Sequence, residues 1–197
     1  NMIKIVCNKT PVTGTFFTTD RGEQSILVTD WMMASKSILP LPDKWHGITD
    51  DDERYRKRYL DILMNPELKE IFIKKAQFWS STRNFLLNEG FLEVETPTLE
   101  ITTGGAEARP FKAHHNDFDI DVYLRISVGE LWQKRLLAAG FPRVFEIGRV
   151  YRNEGSSPEH LQEFTNHEFY AAYMDYKEGM VFTERMLKQV VQETFGT

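Results

Sequence analysis

Residues 144 to 173 constrain the fold more than any other stretch. Val144-Phe145-Glu146-Ile147-Gly148-Arg149-Val150-Tyr151-Arg152 reads as a strand, Gly155 to Gln162 as a loop, and Phe164 to Tyr173 as a second strand. The segment therefore predicts an antiparallel hairpin with a long connection. Side chains alternate faces along a strand. Arg152 and Glu154 then share a face of the outgoing strand, and Phe164, Asn166, Glu168 and Tyr170 share a face of the return strand. Sheet cores usually fill such a face with aliphatic residues. A cation, two carboxylates, an aromatic ring and a phenol there read either as the floor of a ligand site or as a solvent-exposed face with cross-strand ion pairs. Alternation alone leaves both open.

Helices are expected on either side of this hairpin. Asn65-Pro66-Glu67 has the form of a helix start: a capping residue, Pro at the first helical position, an acid in the first turn. Leu68, Phe72, Ala76, Trp79, Arg83 and Leu86 follow at helical spacing, Gly90 ends the run, and Phe91-Leu92-Glu93-Val94-Glu95 alternates like a strand closed by Pro97. Asp175 with Glu178 resembles a capping box, opening an amphipathic helix that runs to about Phe195. Upstream, Val12 to Asp20 and Gln24 to Met32 form two β-rich runs around Asp20-Arg21-Gly22-Glu23, a hairpin turn in which Gly22 tolerates positive φ. Two or three strands make no independent barrel, so this region is an edge of the main domain or the remnant of a larger β module. Pro40-Leu41-Pro42 reads as a linker, and Asp50 to Leu63 as a charged helix. The string Arg54-Tyr55-Arg56-Lys57-Arg58-Tyr59 in that helix is either a solvated face or a contact to phosphates.

Composition removes several classes. Of 197 residues, 41% are hydrophobic and 27% charged, which is globular rather than disordered or collagen-like. No apolar run approaches the roughly 20 residues needed to cross a bilayer, and Asn1-Met2-Ile3-Lys4 has no signal-peptide architecture. Cys7 is the only cysteine, which excludes an internal disulfide and a multi-cysteine zinc site and points to a reducing, cytoplasmic compartment. A formal net charge of −5 argues against coating nucleic acid through bulk charge.

Taken together, these segments resemble the class II aminoacyl-tRNA synthetases, specifically the lysyl-tRNA synthetases. Pro40-Leu41-Pro42-Asp43-Lys44-Trp45-His46-Gly47 through Arg54 to Asp61 is similar to the family's linker and first catalytic helix. Gly90-Phe91 to Pro97 resembles motif 1. Phe145-Glu146-Ile147 to Arg152-Asn153-Glu154-Gly155, with Glu163-Phe164-Thr165 and Glu168-Phe169-Tyr170, resembles motif 2. Motif 2 alone indicates the class; Gly104-Gly105-Ala106 to Ala108-Arg109-Pro110-Phe111, with His114-His115-Asn116, points to lysine.

The resemblance implies an α+β fold: an antiparallel sheet flanked by helices, preceded by a remnant of an oligonucleotide-binding (OB-fold) β-barrel. It implies three regions: residues 1–38 as the end of that barrel, 39–64 as linker and first helix, and 65–197 as the motif 1 and motif 2 part of the catalytic domain. The implied activity is that of a lysine-tRNA ligase, which joins L-lysine and ATP into lysyl-adenylate and passes lysine to tRNA(Lys). Arg152 would bridge the lysine carboxylate and the α-phosphate. Glu154 would accept from the adenine amino group, Phe164 would stack on adenine, and His160 would reach the outer phosphates. Glu168 would pair with the ε-ammonium beside Tyr170, and Glu130, helped by the backbone at Gly105, would hold the α-ammonium. The family is a homodimer through motif 1, needs Mg²⁺, and binds no membrane.

The chain departs from the family in places. Ser127-Val128-Gly129-Glu130 carries two residues where the family usually has one before its Glu, and Glu159 and Leu161 stand where many members have Arg and Asn. Motif 3, with its second ATP-binding Arg and the acidic residues that hold Mg²⁺, is not seen after Tyr173, so no metal ligand is expected within these residues. The expectation is an internal piece of a longer synthetase, inactive or weakly active alone, with sheet edges and apolar surface exposed. Two other readings stand beside it: a synthetase-like paralogue that attaches a lysine-like group to a protein, and a non-catalytic regulatory module. Known paralogues lack the barrel, and the β-rich runs at Val12 to Met32 speak against the first of these.

Overall fold

The computed structural model describes residues 11–34, 42 and 47–196. The linker reading at Pro40-Leu41 and at Asp43 to His46, and the thiol of Cys7, lie outside them. The chain divides into two compact units between Ile71 and Phe72.

In the first unit, β1 (Val12–Thr18) and β2 (Gln24–Trp31) form an antiparallel hairpin, with Gly22 at φ 81° in the turn as the sequence predicts. Phe16 and Leu27 stay 75% and 64% exposed, so the pair buries little of its own apolar surface. The charged segment folds as two short helices rather than one, α1 (Asp51–Arg56) and α2 (Arg58–Met64). Lys57 leaves the helical region, at φ −110° and ψ 46°, and breaks the run. Each cation of the basic string finds a carboxylate within the segment. Arg56 pairs with Asp52 at 2.6 Å, Lys57 with Glu53 at 2.7 Å, and Arg54 and Arg58 converge on buried Asp61 at 3.1 and 2.5 Å. These pairs make it a self-neutralised helix face. Asn65 does not cap the next helix: its side-chain amide donates to Asp61 at 2.9 Å, and the chain enters through a 3₁₀ turn at Pro66–Leu68.

The helix that follows, α3 (Lys69–Asn88), buries Ser81, Thr82, Phe85 and Leu86, while Phe72 remains 49% exposed. The buried stripe is thus rotated from the one the apolar spacing suggests and confined to the last two turns. The strand expected from Phe91 to Glu95 shortens to β3 (Leu92–Glu93). Three strands then form a small antiparallel sheet: β4 (Leu99–Glu100), β5 (Lys112–His115) and β6 (Ile120–Leu124), in the order β4-β6-β5. After α4 (Glu130–Ala138) come β7 (Arg143–Tyr151) and β8 (Glu163–Ala171), the predicted hairpin, antiparallel over their full length. β3 adds to β7 in parallel, giving the order β3-β7-β8. Two ends differ from the sequence reading: Arg152 and Glu154 lie just beyond β7, and β8 stops at Ala171, with Tyr173 at φ 60°. The chain then enters α5 (Tyr176–Phe195) through the expected capping box, Asp175 accepting from Lys177 and Glu178 and the Glu178 carboxylate accepting from the Asp175 amide. No helix among the described residues is long and apolar enough to cross a membrane.

The main core lies between α3, α5 and one face of the β7–β8 sheet. Phe85, Leu86, Phe91, Phe145, Phe182, Met186 and Val190 are buried there, with Phe169 packed against them. Phe182 is central, with ring centroids 5.2 Å from Phe85, 5.3 Å from Phe91 and 5.2 Å from Phe169. Because Phe145 and Phe169 point into this core, their neighbours Glu146 and Glu168 must face the other way. Phe182→Ala removes the hub of the cluster and should cost about 3–5 kcal/mol, read as a lower urea midpoint of the chain with an unchanged m-value.

Candidate active site

The register of the hairpin sets the site. On the face opposite the core, Val144 lies across from Tyr170, Glu146 from Glu168, Gly148 from Asn166 and Val150 from Phe164. Two carboxylates directly opposite each other repel, and the structure resolves the conflict asymmetrically. Glu146, 4% exposed, is ion-paired to Arg125 at 2.5 Å and also accepts from the Thr96 amide and hydroxyl at 3.1 and 2.6 Å. Glu168 accepts only from neutral donors, the Val128 amide at 3.1 Å and, at 3.4 Å each, the Asn166 amide and the Tyr170 hydroxyl. Among the described residues it has no cationic partner.

Burial, assisted by the nearby Glu130 and Glu146 carboxylates, pushes Glu168 above the ordinary carboxylate range. Burial together with Glu168 and Glu130 also raises the Tyr170 phenol, which stays protonated and able to donate. Glu130 opens α4 and holds Lys134 one turn on, at 2.5 Å. Gly105 sits against it. A Cβ built there would fall 2.3 Å from Glu130 Oε2 and 2.2 Å from Ser127 Oγ, so only glycine allows the 104–105 backbone this close. Ser127 donates to the Gly104 carbonyl at 2.7 Å, fixing the approach. Gly105, Glu130, Glu168 and Tyr170 thus come together in one acidic corner.

The other four residues singled out in the sequence surround a second space. A cleft of about 330 Å³ is lined by Arg152, Glu154, His160, Leu161 and Phe164. The Arg152 guanidinium lies 5.2 Å from the Phe164 ring centroid, over its face. Arg152 also reaches to 3.5 Å from the Ile126 carbonyl, in the connection before α4, which places it between the cleft and the acidic corner. Glu154 Oε1 accepts from the Arg109 amide at 3.1 Å, and the Asn153 amide donates to the Arg109 carbonyl at 2.7 Å. The segment that follows Gly105 is therefore tied to the far side of the cleft. His160 Nδ1 lies 2.7 Å from Ser157 Oγ within a small backbone-paired turn. Leu161 stands 65% exposed at the rim.

The family model described as tRNA synthetases class II (D, K and N) matches residues 50–197. The chain belongs to that family. Among curated relatives, it is 51% identical to the Lysine--tRNA ligase of Synechococcus sp. (strain CC9902) over 185 residues, 94% of this chain and 37% of the relative. It is 50% identical over 186 residues to that of Clostridium botulinum (strain Langeland / NCTC 10281 / Type F), with the same coverage. The corresponding enzyme of Nostoc punctiforme (strain ATCC 29133 / PCC 73102) is 49% identical, with 33% of its length covered. The chain thus spans about a third of the length of these class II synthetases. The mixed fold, antiparallel apart from the short β3–β7 pairing, agrees with membership.

Sequence reasoning overlooked Arg125 and placed Glu146 only as part of the motif 2 resemblance. A charged residue between Phe145 and Ile147 in a strand was a usable signal, since alternation puts it on the face of Glu168. Arg125, which belongs to none of the motifs quoted above, offered none. Among the described residues there is no group of three or more His, Cys, Asp or Glu able to hold a metal ion.

A carboxylate raised by burial holds its proton more tightly in the folded than in the unfolded chain. The stability it contributes is present at low pH and is lost as pH rises through the raised value. Glu168→Gln removes that loss. The variant should gain on its parent in urea titrations as pH rises above the ordinary carboxylate range; a gap that moves the other way contradicts the raised value.

Proposed function

We propose that this chain is the amino-acid-activating part of a lysine-tRNA ligase. In the reaction, a lysine carboxylate oxygen attacks the α-phosphorus of ATP in line, pyrophosphate leaves, and lysyl-adenylate forms for transfer to tRNA(Lys). The observation that carries this reading is Glu168, a half-buried carboxylate on a packed sheet with no cation beside it. A desolvated acid of that kind suits an ammonium ligand. The printed names of the relatives support the same amino acid.

Each chemical demand has a residue to meet it. Glu168, with the Tyr170 hydroxyl beside it, takes the ε-ammonium, and Glu130 beside Gly105 takes the α-ammonium. Arg152, lying between corner and cleft, bridges the lysine carboxylate and the α-phosphate, two anions that repel until a fixed bidentate donor spans them. Phe164 offers its ring to adenine, Glu154 its second oxygen to the adenine amino group, and His160 its Nε2 to the outer phosphates. An aspartate pocket needs a cation where Glu168 stands. We assign residues 1–38 to the end of an OB-fold barrel, 39–64 to a linker and first helix, and 65–197 to the catalytic domain of a cytoplasmic enzyme.

The test is amino-acid-dependent ATP–pyrophosphate exchange by the full-length product of the gene, run with lysine, asparagine and aspartate. Lysine alone should support exchange. Arg152→Ala should lower kcat at least about a hundredfold, and Glu168→Gln should raise the KM for lysine far more than that for ATP. Near-normal exchange by the first variant, or equal KM changes in the second, contradicts the assigned role.

The same reading places α3 and the strand to Pro97 in a two-fold interface. Ile71, Phe72 and Ile73 are 62%, 49% and 52% exposed, apolar surface that suits such a contact. Sedimentation of the full-length product should show a dimer at micromolar concentration, and a stable monomer there refutes this part.

A further inference from the structure

Five consecutive residues, Arg125 to Gly129, are buried between β6 and α4, and they touch Glu168, Arg152 and the 104–105 backbone and lead directly into Glu130. The Ile126 carbonyl faces Arg152 at 3.5 Å, the Val128 amide donates to Glu168 at 3.1 Å, Ser127 holds Gly104, and Gly129 precedes Glu130. The side chain that anchors this segment is its first. Arg125 spends its guanidinium on three residues of two other segments: Nε donates to the Arg149 carbonyl at 2.8 Å, and Nη1 to Glu146 at 2.5 Å and to the Thr96 carbonyl and hydroxyl at 3.3 Å each. Its own carbonyl accepts from the Tyr151 amide at 3.0 Å, one residue before Arg152.

Glu146 completes the anchor from below. A Cβ at Gly129 would come within 3.1 Å of Glu146 Oε2, so the carboxylate lies directly under the start of α4. Gly148 leaves room for the partner: a Cβ there would fall 2.2 Å from Arg125 Nη2. Neither Arg125 nor Glu146 reaches the acidic corner or the cleft with a free polar atom; both are spent on protein groups and 4% exposed.

We propose that the Arg125–Glu146 pair is a positioning device that sets the distance between the lysine-holding carboxylates and Arg152. The pair acts on the reaction through the 125–130 segment, not by touching substrate. This assignment rests on the lysine-activation reading. A bridging Arg works only if the acid that fixes the amino acid and the guanidinium that meets the phosphate keep one geometry, and here one buried segment carries the contacts to both. A lysine at position 125 keeps the charge but lacks the planar fork that reaches three acceptors.

The experiment uses the full-length gene product in lysine-dependent ATP–pyrophosphate exchange. Arg125→Lys removes the fork, and Gly148→Ala displaces the guanidinium while keeping both charges. Each is made alone and on top of Arg152→Ala, with thermal unfolding followed in parallel. The expected result is a kcat lower by about tenfold or more in folded single variants, with the KM for ATP within about threefold. On the Arg152→Ala background the same changes should cost less than about threefold, because the residue they position is gone. Four outcomes overturn the proposal: kcat within threefold of the parent in a folded single variant, the same fold loss in both backgrounds, failure of both variants to fold, or a KM effect alone. No exchange by the parent with any amino acid overturns the activity reading first, and this assignment with it.

Discussion

The pairing of β7 with β8 puts Glu146 opposite Glu168, and much of the structure around the hairpin answers that conflict. Two carboxylates across a sheet cannot both stay charged and unpaired in a half-buried place. Glu146 is neutralised by Arg125, and removing one member of such a buried pair usually costs about 3–5 kcal/mol. Glu168 is left with neutral donors. That inequality is the origin of the acidic corner: one acid is spent on structure, and the other is held for something the described residues do not supply.

The core fixes the register that creates this conflict. Phe145 and Phe169 are drawn to the α3–α5 side by Phe91 and Phe182, at ring separations of 5.6 Å for Phe91–Phe169 and 5.2 Å for Phe169–Phe182. A slip of one residue in either strand would turn its aromatic out and its glutamate in. The aromatic cluster therefore does more than stabilise the domain. It decides which face the glutamates occupy.

Most of this was legible in the sequence, and what was not has physical causes. Period-two alternation located the β7–β8 hairpin to within two residues at each end, because a strand with one buried face is strongly specified. The capping box at Asp175 and the turn at Gly22 were readable because they are local chemistry. The break at Lys57 was not, since the pull of Asp61 on Arg54 and Arg58 from both sides of it depends on tertiary burial of one carboxylate. The same acid took the Asn65 side chain that looked like a cap. The eight candidate site residues were singled out by alternation and by family likeness, and they fall into a corner and a cleft that sequence spacing could not separate. Arg125 was invisible for a further reason. Its partners, Thr96, Glu146 and Arg149, lie on two other segments, and nothing about a lone arginine at a strand end announces three distant acceptors.

Under the proposed function, the charge arrangement also bears on which amino acid the site would prefer. Two acids, Glu130 and Glu168, form the corner and Glu146 lies nearby, and two of the three already have cations: Glu146 has Arg125 and Glu130 has Lys134. The Lys134 ammonium lies 6.0 Å from the Tyr170 ring centroid, so it sits at the edge of the corner without satisfying Glu168. An aspartate side chain entering here would add a fourth anion to a place where burial already raises Glu168, and an asparagine would leave that carboxylate without a counter-charge. A primary ammonium on a long apolar stem supplies the missing positive charge and can donate three hydrogen bonds, to Glu168 and to neighbouring acceptors. Binding it would also pull Glu168 back toward its ionised form, because an adjacent cation lowers a carboxylate's pKa. The cost of keeping that acid half-buried in the free protein is thereby returned when the cation binds, which makes the corner select for charge before it selects for shape.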